Sequence, residues 1–115
     1  MALVLCTGLD PSVVRTRQLI LERAGHVVVP ALDEASLIKA CQQNKFDVAV
    51  VGQTVSPKIK RRIAGLIRER CHDAKLLELY TISSGRVIDD ADAWLEVLAD
   101  VPQELAVRVG ALAEK

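Results

Sequence analysis

The chain has 115 residues, 50% of them hydrophobic and only 3% aromatic, enough for a core built from aliphatic side chains. Fifteen basic and fifteen acidic residues cancel, so no global field draws it to nucleic acid or to an anionic membrane surface. No stretch approaches the roughly 18 apolar residues of a membrane span, and the apolar run at residues 2–6 is too short for a signal peptide.

Residues 2–7 (ALVLCT) form a continuous apolar run and read as a first buried strand. Gly8 and Leu9 make a turn. Asp10 is an N-cap carboxylate and Pro11 a favourable first helical residue. This first helix extends to about Ala24, with Val13, Leu19, Ile20 and Ala24 among its apolar positions, and Gly25 stops it. Residues 26–31 (HVVVPA) make the second strand, and Pro30, which cannot supply a ladder donor, places that strand at an edge. Asp33 caps a helix through about Gln43, with Ala35, Leu37, Ile38 and Cys41 facing inward.

Residues 45–52 (KFDVAVVG) contain four consecutive apolar residues, three of them Val, that stop on glycine. Such a run fits a strand buried on both faces, at the centre of a parallel sheet covered by helices. Open α/β sheets place ligands and chemistry just past the carboxyl ends of such strands. Here those residues are Gly52, Gln53, Thr54, Val55 and Ser56, and none is an acid, a base or a strong metal ligand. Pro57 then opens a helix with Ile59, Ile63, Leu66 and Ile67 on one stripe.

Residues 75–80 (KLLELY) are a fourth strand. The polar segment 81–90, which contains Gly85, has room for a turn or two of helix at most. Residues 93–97 (AWLEV) read as a fifth strand, although 92–98 also fits a helix and periodicity does not separate the two. A last helix from Pro102 to about Ala113 carries Leu105, Val109 and Leu112 on one side. Strand then helix, repeated with short connections, predicts one α/β domain over residues 1–115: an open, doubly wound, five-stranded parallel sheet with helices on both faces.

Taken together, GLDP before a helix ending ERAGHVVVPA, then FDVAVVG, then ADAWLEV followed by a Pro-x-Glu-Leu helix start, resemble a response-regulator receiver domain of the chemotaxis-regulator type. The resemblance covers nearly all of the chain and implies a flavodoxin-like sheet in the order 2-1-3-4-5. The chain departs from the family between the fourth and fifth strands: only about ten residues separate Thr81 from Ala91-Asp92-Ala93, too few for the helix that receivers have there, so that helix should be missing or reduced to a single turn.

The resemblance does not carry the family's chemistry with it. The position matching the phosphoacceptor aspartate is Gly52. The positions matching the acid pair that holds Mg²⁺ are Gly8 and Leu9, and Asp10 beside them is a lone carboxylate that serves as a helix cap. The lysine that contacts the phosphoryl group falls on Val97. The hydroxyl after strand four has a counterpart in Thr81, otherwise an ordinary turn residue. With nucleophile, metal ligands and lysine absent, the electrostatic basis of phosphoryl transfer is missing. The expectation is a degenerate receiver that is not an enzyme and uses no cofactor or metal.

Other candidates for chemistry are weaker. His26 and His72 lie at the amino-terminal edge of the sheet, opposite the crevice, and read as surface or structural residues. Three cysteines without a CxxC pair predict free thiols in a reducing cytoplasm and no disulfide framework. Cys6 reads as a core thiol, and Cys71, between Arg70 and His72, as the more reactive one. The turns Thr7-Gly8 and Ser83-Ser84-Gly85 match no phosphate-binding loop.

Charge is unevenly spread. Lys58, Lys60, Arg61, Arg62, Arg68 and Arg70 oppose only Glu69 in one segment, while Asp89, Asp90, Asp92, Glu96, Asp100 and Glu104 crowd another. These are either solvated faces or a dipolar surface for a protein partner or a second copy. Trp94, beside the thinned region, is either a core filler or an interface anchor. The sequence thus predicts a cytoplasmic signal-transduction module acting through protein contacts, with nucleic acid disfavoured. Two alternatives are a conventional phosphorelay receiver using Asp10 or Asp47, and a small-ligand or nucleotide sensor in the vacated pocket.

Overall fold

The computed structural model describes residues 2–97 and 103–114. The first strand, β1 (Leu3–Thr7), leads into α1 (Pro11–Arg23). The Asp10 side chain accepts from the Ser12 N–H, and Pro11 occupies the first turn. At the other end the His26 N–H reaches Leu21 O and the Gly25 N–H reaches Glu22 O. This paired closure sets Gly25 at φ +93°, which glycine adopts without strain.

β2 (Val27–Ala31) is followed by α2 (Glu34–Gln43). Asp33 and Ser36 form a reciprocal cap at its start, the Asp33 side chain accepting the Ser36 N–H and Ser36 Oγ the Asp33 N–H. β3 (Val48–Val51) is buried at every residue, and Ser56 caps α3 (Pro57–Arg70). β4 (Lys75–Tyr80), β5 (Ala93–Glu96) and α4 (Gln103–Ala113) complete the chain. The fifth-strand segment, ambiguous by periodicity, is a strand because β4 offers it a parallel partner, with Glu78 opposite Trp94. Pro102 and Asp100 lie outside the described residues.

All pairings are parallel, in the order β2-β1-β3-β4-β5. Pro30 therefore sits on an edge strand, where a missing donor is tolerated. One face of the sheet, with Leu5, Ala49, Val51 and Leu76, packs on Leu37 and Ala40 of α2 and on Ile63 and Ile67 of α3. The other, with Val4, Cys6, Val50 and Leu77, packs on Val14 and Leu21 of α1 and on Leu105, Val109 and Leu112 of α4. The inward face of α1 thus runs Val14, Arg17, Leu21; Leu19 is exposed, and so is Ala35 of α2.

No helix forms between β4 and β5. The connection, residues 81–92, is instead fastened from below by Glu78, whose carboxylate accepts the backbone N–H groups of Val87 (2.8 Å) and Ile88 (2.8 Å). Ile88 and Ala91 then fill part of the core that a helix would otherwise cover.

Candidate functional site

The carboxyl ends of β1 and β3 lie side by side, with Thr7 opposite Val51. Gly8 follows directly, and a Cβ there would stand 2.9 Å from Val14 Cγ2, so the turn into α1 leaves no room for a side chain. Leu9 is exposed. Asp10 is spent on its cap, with Oδ1 2.9 Å from the Ser12 N–H. Thr81 sits in a turn, its hydroxyl bonded to Ser83 Oγ and Ser84 Oγ. The Val97 N–H donates to Tyr80 O and prolongs the pairing of β5 with β4.

The residue that fills the crest is Arg17. It is only 6% exposed, on the inward stripe of α1. Its Nη2 donates to Gln53 Oε1, the first side chain past Gly52. Its Nη1 lies 2.7 Å from where a Cβ on Gly52 would begin. Among the described residues, Nη1 is the one buried side-chain nitrogen or oxygen without a hydrogen-bond partner. Burial lowers the Arg17 pKa from its ordinary value, but an arginine so placed keeps its charge at neutral pH. A glycine at 52 and an arginine at 17 are therefore two halves of one arrangement. Nothing in the local pattern at Gly52 announces it; the signal lay in α1, where Val14, Arg17 and Leu21 share one helical face.

No family model matches the sequence, and no curated protein matches it. Solved structures do. A CheY-like response regulator receiver domain protein from Methanospirillum hungatei superposes with a TM-score of 0.78 at 14% identity, over 99% of this chain and 94% of that one. The response regulator TrrA of Thermotoga maritima in complex with Mg²⁺ and BeF gives 0.76 at 22% identity, over 97% and 99%. TrrA in complex with the histidine kinase ThkA gives 0.75 at 24%, over 97% and 98%.

The fold is that of a receiver domain. The Mg²⁺ that receivers use does not suit the residues present. A hard cation requires oxygen donors; Gly8 and Leu9, which the resemblance sets at the metal positions, have none in their side chains, and the Asp10 carboxylate beside them is already committed to a helix. Among the described residues no three of His, Cys, Asp and Glu come together. The guanidinium beside Gly52 would also repel a divalent ion.

Several residues expected on an interaction surface are placed otherwise. Lys60 is a correction: it is 1% exposed, and its Nζ lies 2.8 Å from Glu78 Oε2 and 2.7 Å from Leu79 O. It belongs to the inward stripe of α3, and it can be buried because Glu78, fully buried in β4, supplies the opposite charge. Burial alone would raise the Glu78 carboxyl, but Lys60 and the Ile88 and Val87 N–H groups outweigh it and hold the group below its ordinary range. Arg62 forms a fork to Glu34 across α3 and α2. Arg68 reaches Asp90 and Asp92, and Asp92 also accepts the Leu76 N–H, so part of the basic and acidic segments neutralise each other within the chain. Lys58, Arg61 and Asp89 are exposed. Trp94 is half-buried, donating from Nε1 to Ile88 O, with the Arg86 guanidinium 4.9 Å above its ring.

The cysteines depart furthest from expectation. Cys41 and Cys71, 30 residues apart in sequence, form a disulfide, because packing α2 beside α3 brings their ends together. Cys6 is free and fully buried; burial pushes its thiol up to about 11, Arg17 opposing the shift. His26 accepts the Ala2 N–H through Nδ1, and His72 lies exposed near the disulfide. Asp47, at the foot of β3, accepts the Leu3 N–H, far from the crest. A cavity of about 280 Å³ does open at the crest, between β1, β2, α2 and α3, lined by Leu9, Leu32, Leu37, Ile59 and Ile63 among others. No helix of the described residues is long and apolar enough to cross a membrane.

Proposed function

We propose that this chain is a receiver-fold signalling module that works through protein contacts and accepts no phosphoryl group. The observation that carries the reading is the Arg17 guanidinium seated against Gly52: the nucleophile's place is filled by a buried cation. Phosphoryl transfer needs an acceptor oxygen and oxygen donors for a metal; the side chains of Gly8, Leu9 and Gly52 offer none, and the Asp10 carboxylate accepts the Ser12 N–H. That TrrA is seen bound to a histidine kinase supports a protein as the partner. In this reading residues 1–115 are one such domain, free-standing or part of a larger regulator.

Amide chemical shifts followed during titration with beryllofluoride and Mg²⁺ test the proposal. The expected outcome is no saturable change at Gly8, Gly52 or Thr81, together with an unchanged intact mass after incubation with acetyl phosphate. A phosphoryl adduct, or shifts clustered at those three residues, would overturn it. The cavity beside Leu9 and Ile59 favours a second reading, a sensor of a small apolar ligand, which saturable shifts at Leu32 and Ile63 in a metabolite screen would support instead.

A further inference from the structure

At the foot of the sheet, opposite the crest, α2 and α3 are joined by the Cys41–Cys71 disulfide, with Cα atoms 5.4 Å apart. Cys41 is half-buried near the end of α2, and Cys71 is the residue that closes α3, its N–H bonded to Ile67 O. Both line a cleft of about 200 Å³ open to solvent, together with Asn44, Lys45, Arg70, His72 and Asp73. Lys45 and Arg70 are fixed cations there, and His72 adds an imidazole. Asp73 is the opposing acid, 3.7 Å from Lys45 Nζ and 3.8 Å from His72 Nε2; Glu69 lies 3.8 Å from Arg70 Nε. The lining of the cleft is thus more basic than acidic.

We infer that Cys41–Cys71 is a thiol–disulfide exchange site whose substrate is a small anionic thiol. The cations draw the anion in, and the attacking thiolate reaches Cys41 Sγ, on the less buried of the two cysteines. The Sγ–Sγ bond breaks as the mixed disulfide forms, and Cys71 leaves as a thiolate beside Arg70, whose positive charge favours that leaving group. A second thiolate attacks the outer sulfur of the mixed disulfide and releases Cys41. In total, one disulfide and two thiols become two protein thiols and one external disulfide, each protein sulfur taking up the proton its attacker had shed. Cys6, fully buried and held as the thiol, takes no part. Exchange unties α2 from α3 at the foot while the Glu34–Arg62 fork still joins them at the crest. This inference does not rest on phosphoryl silence, and its readout is separate from that test.

The experiment uses the oxidised 115-residue chain. Reduction by mercaptoethanesulfonate (anionic), mercaptoethanol (neutral) and cysteamine (cationic) is quenched with iodoacetamide and followed by peptide mass, with rates expressed per thiolate. The anionic thiol is expected to react about tenfold faster than the cationic one, and the gap should fall to about twofold in the Lys45→Gln/Arg70→Gln variant. The first adduct should sit on Cys41, and Cys6 should be alkylated only after denaturation. Equal rates for the three thiols, cysteamine as the fastest, or a disulfide that opens only when the chain unfolds would overturn the inference. Should the double variant fold poorly, the ranking of the three thiols on the unaltered chain decides alone.

Discussion

Arg17 Nη1 lies 2.7 Å from the point where a side chain on Gly52 would start, so the two positions cannot be changed independently. Gly52→Ala should cost about 1 kcal/mol, because the guanidinium tip can swing but Thr7 O, 3.2 Å from the same point, is backbone. In an Arg17→Ala background the added cost should shrink. A double-mutant cycle from urea denaturation measures that coupling, and strict additivity would mean that the contact carries no energy.

Arg17→Met replaces a buried guanidinium, one of whose nitrogens lacks a partner, with an apolar chain of similar length. Stability should stay level or rise by about 1 kcal/mol, since a buried unsatisfied donor is a cost that the substitution removes. Thermal and urea midpoints report the outcome, and a loss beyond about 2 kcal/mol would show that Arg17 anchors more than its bond to Gln53.

Lys60 and Glu78 should be costly to separate. Lys60→Met or Glu78→Leu alone leaves an uncompensated buried partner and should lose about 3–5 kcal/mol. The double variant should lose clearly less than the two losses together. Hydrogen exchange locates the damage: in Glu78→Leu the Val87 and Ile88 amides should lose protection first, because the carboxylate is their acceptor.

The same pair gives a pH dependence of defined sign. The folded Glu78 pKa lies below its ordinary value of 4.5, so the unfolded chain takes up the proton more readily than the folded one. The stabilisation is therefore fully present above pH 4.5 and is lost as pH falls through the depressed folded value. Urea denaturation between neutral pH and pH 3 should show the decline, and Glu78→Gln should flatten part of it.

Much of the fold was legible in the chain itself. Asp10-Pro11, Asp33 and Pro57 mark helix starts by their own chemistry, and the all-apolar run of β3 could only be central. Pro30 identified an edge by what it lacks. At the crest the sequence offers Gly8, Leu9 and Gly52, none of them an acid, a base or a metal ligand. What stands beside Gly52 depends on which turn of α1 faces the sheet, and the apolar positions Val13, Leu19 and Ile20 do not mark that face, which runs Val14, Arg17, Leu21. Lys60 was misjudged in the same way: a basic run hides the one member whose helical phase matches Ile63 and Ile67, and its partner Glu78 is 18 residues distant. The Cys41–Cys71 bond depends on the packing of two helices and has no local spacing to announce it.

The sheet's two margins limit how this molecule can join others. On β2, Pro30 withholds an amide from any incoming strand, and on β5 the Trp94 carbonyl is already taken by Arg108 Nη1, 3.1 Å away. Strand-by-strand growth, the usual hazard of an open sheet, is thus discouraged on both sides. A protein that bound this chain would then meet helix faces or the 81–92 connection, where side chains and not main-chain ladders decide what is admitted.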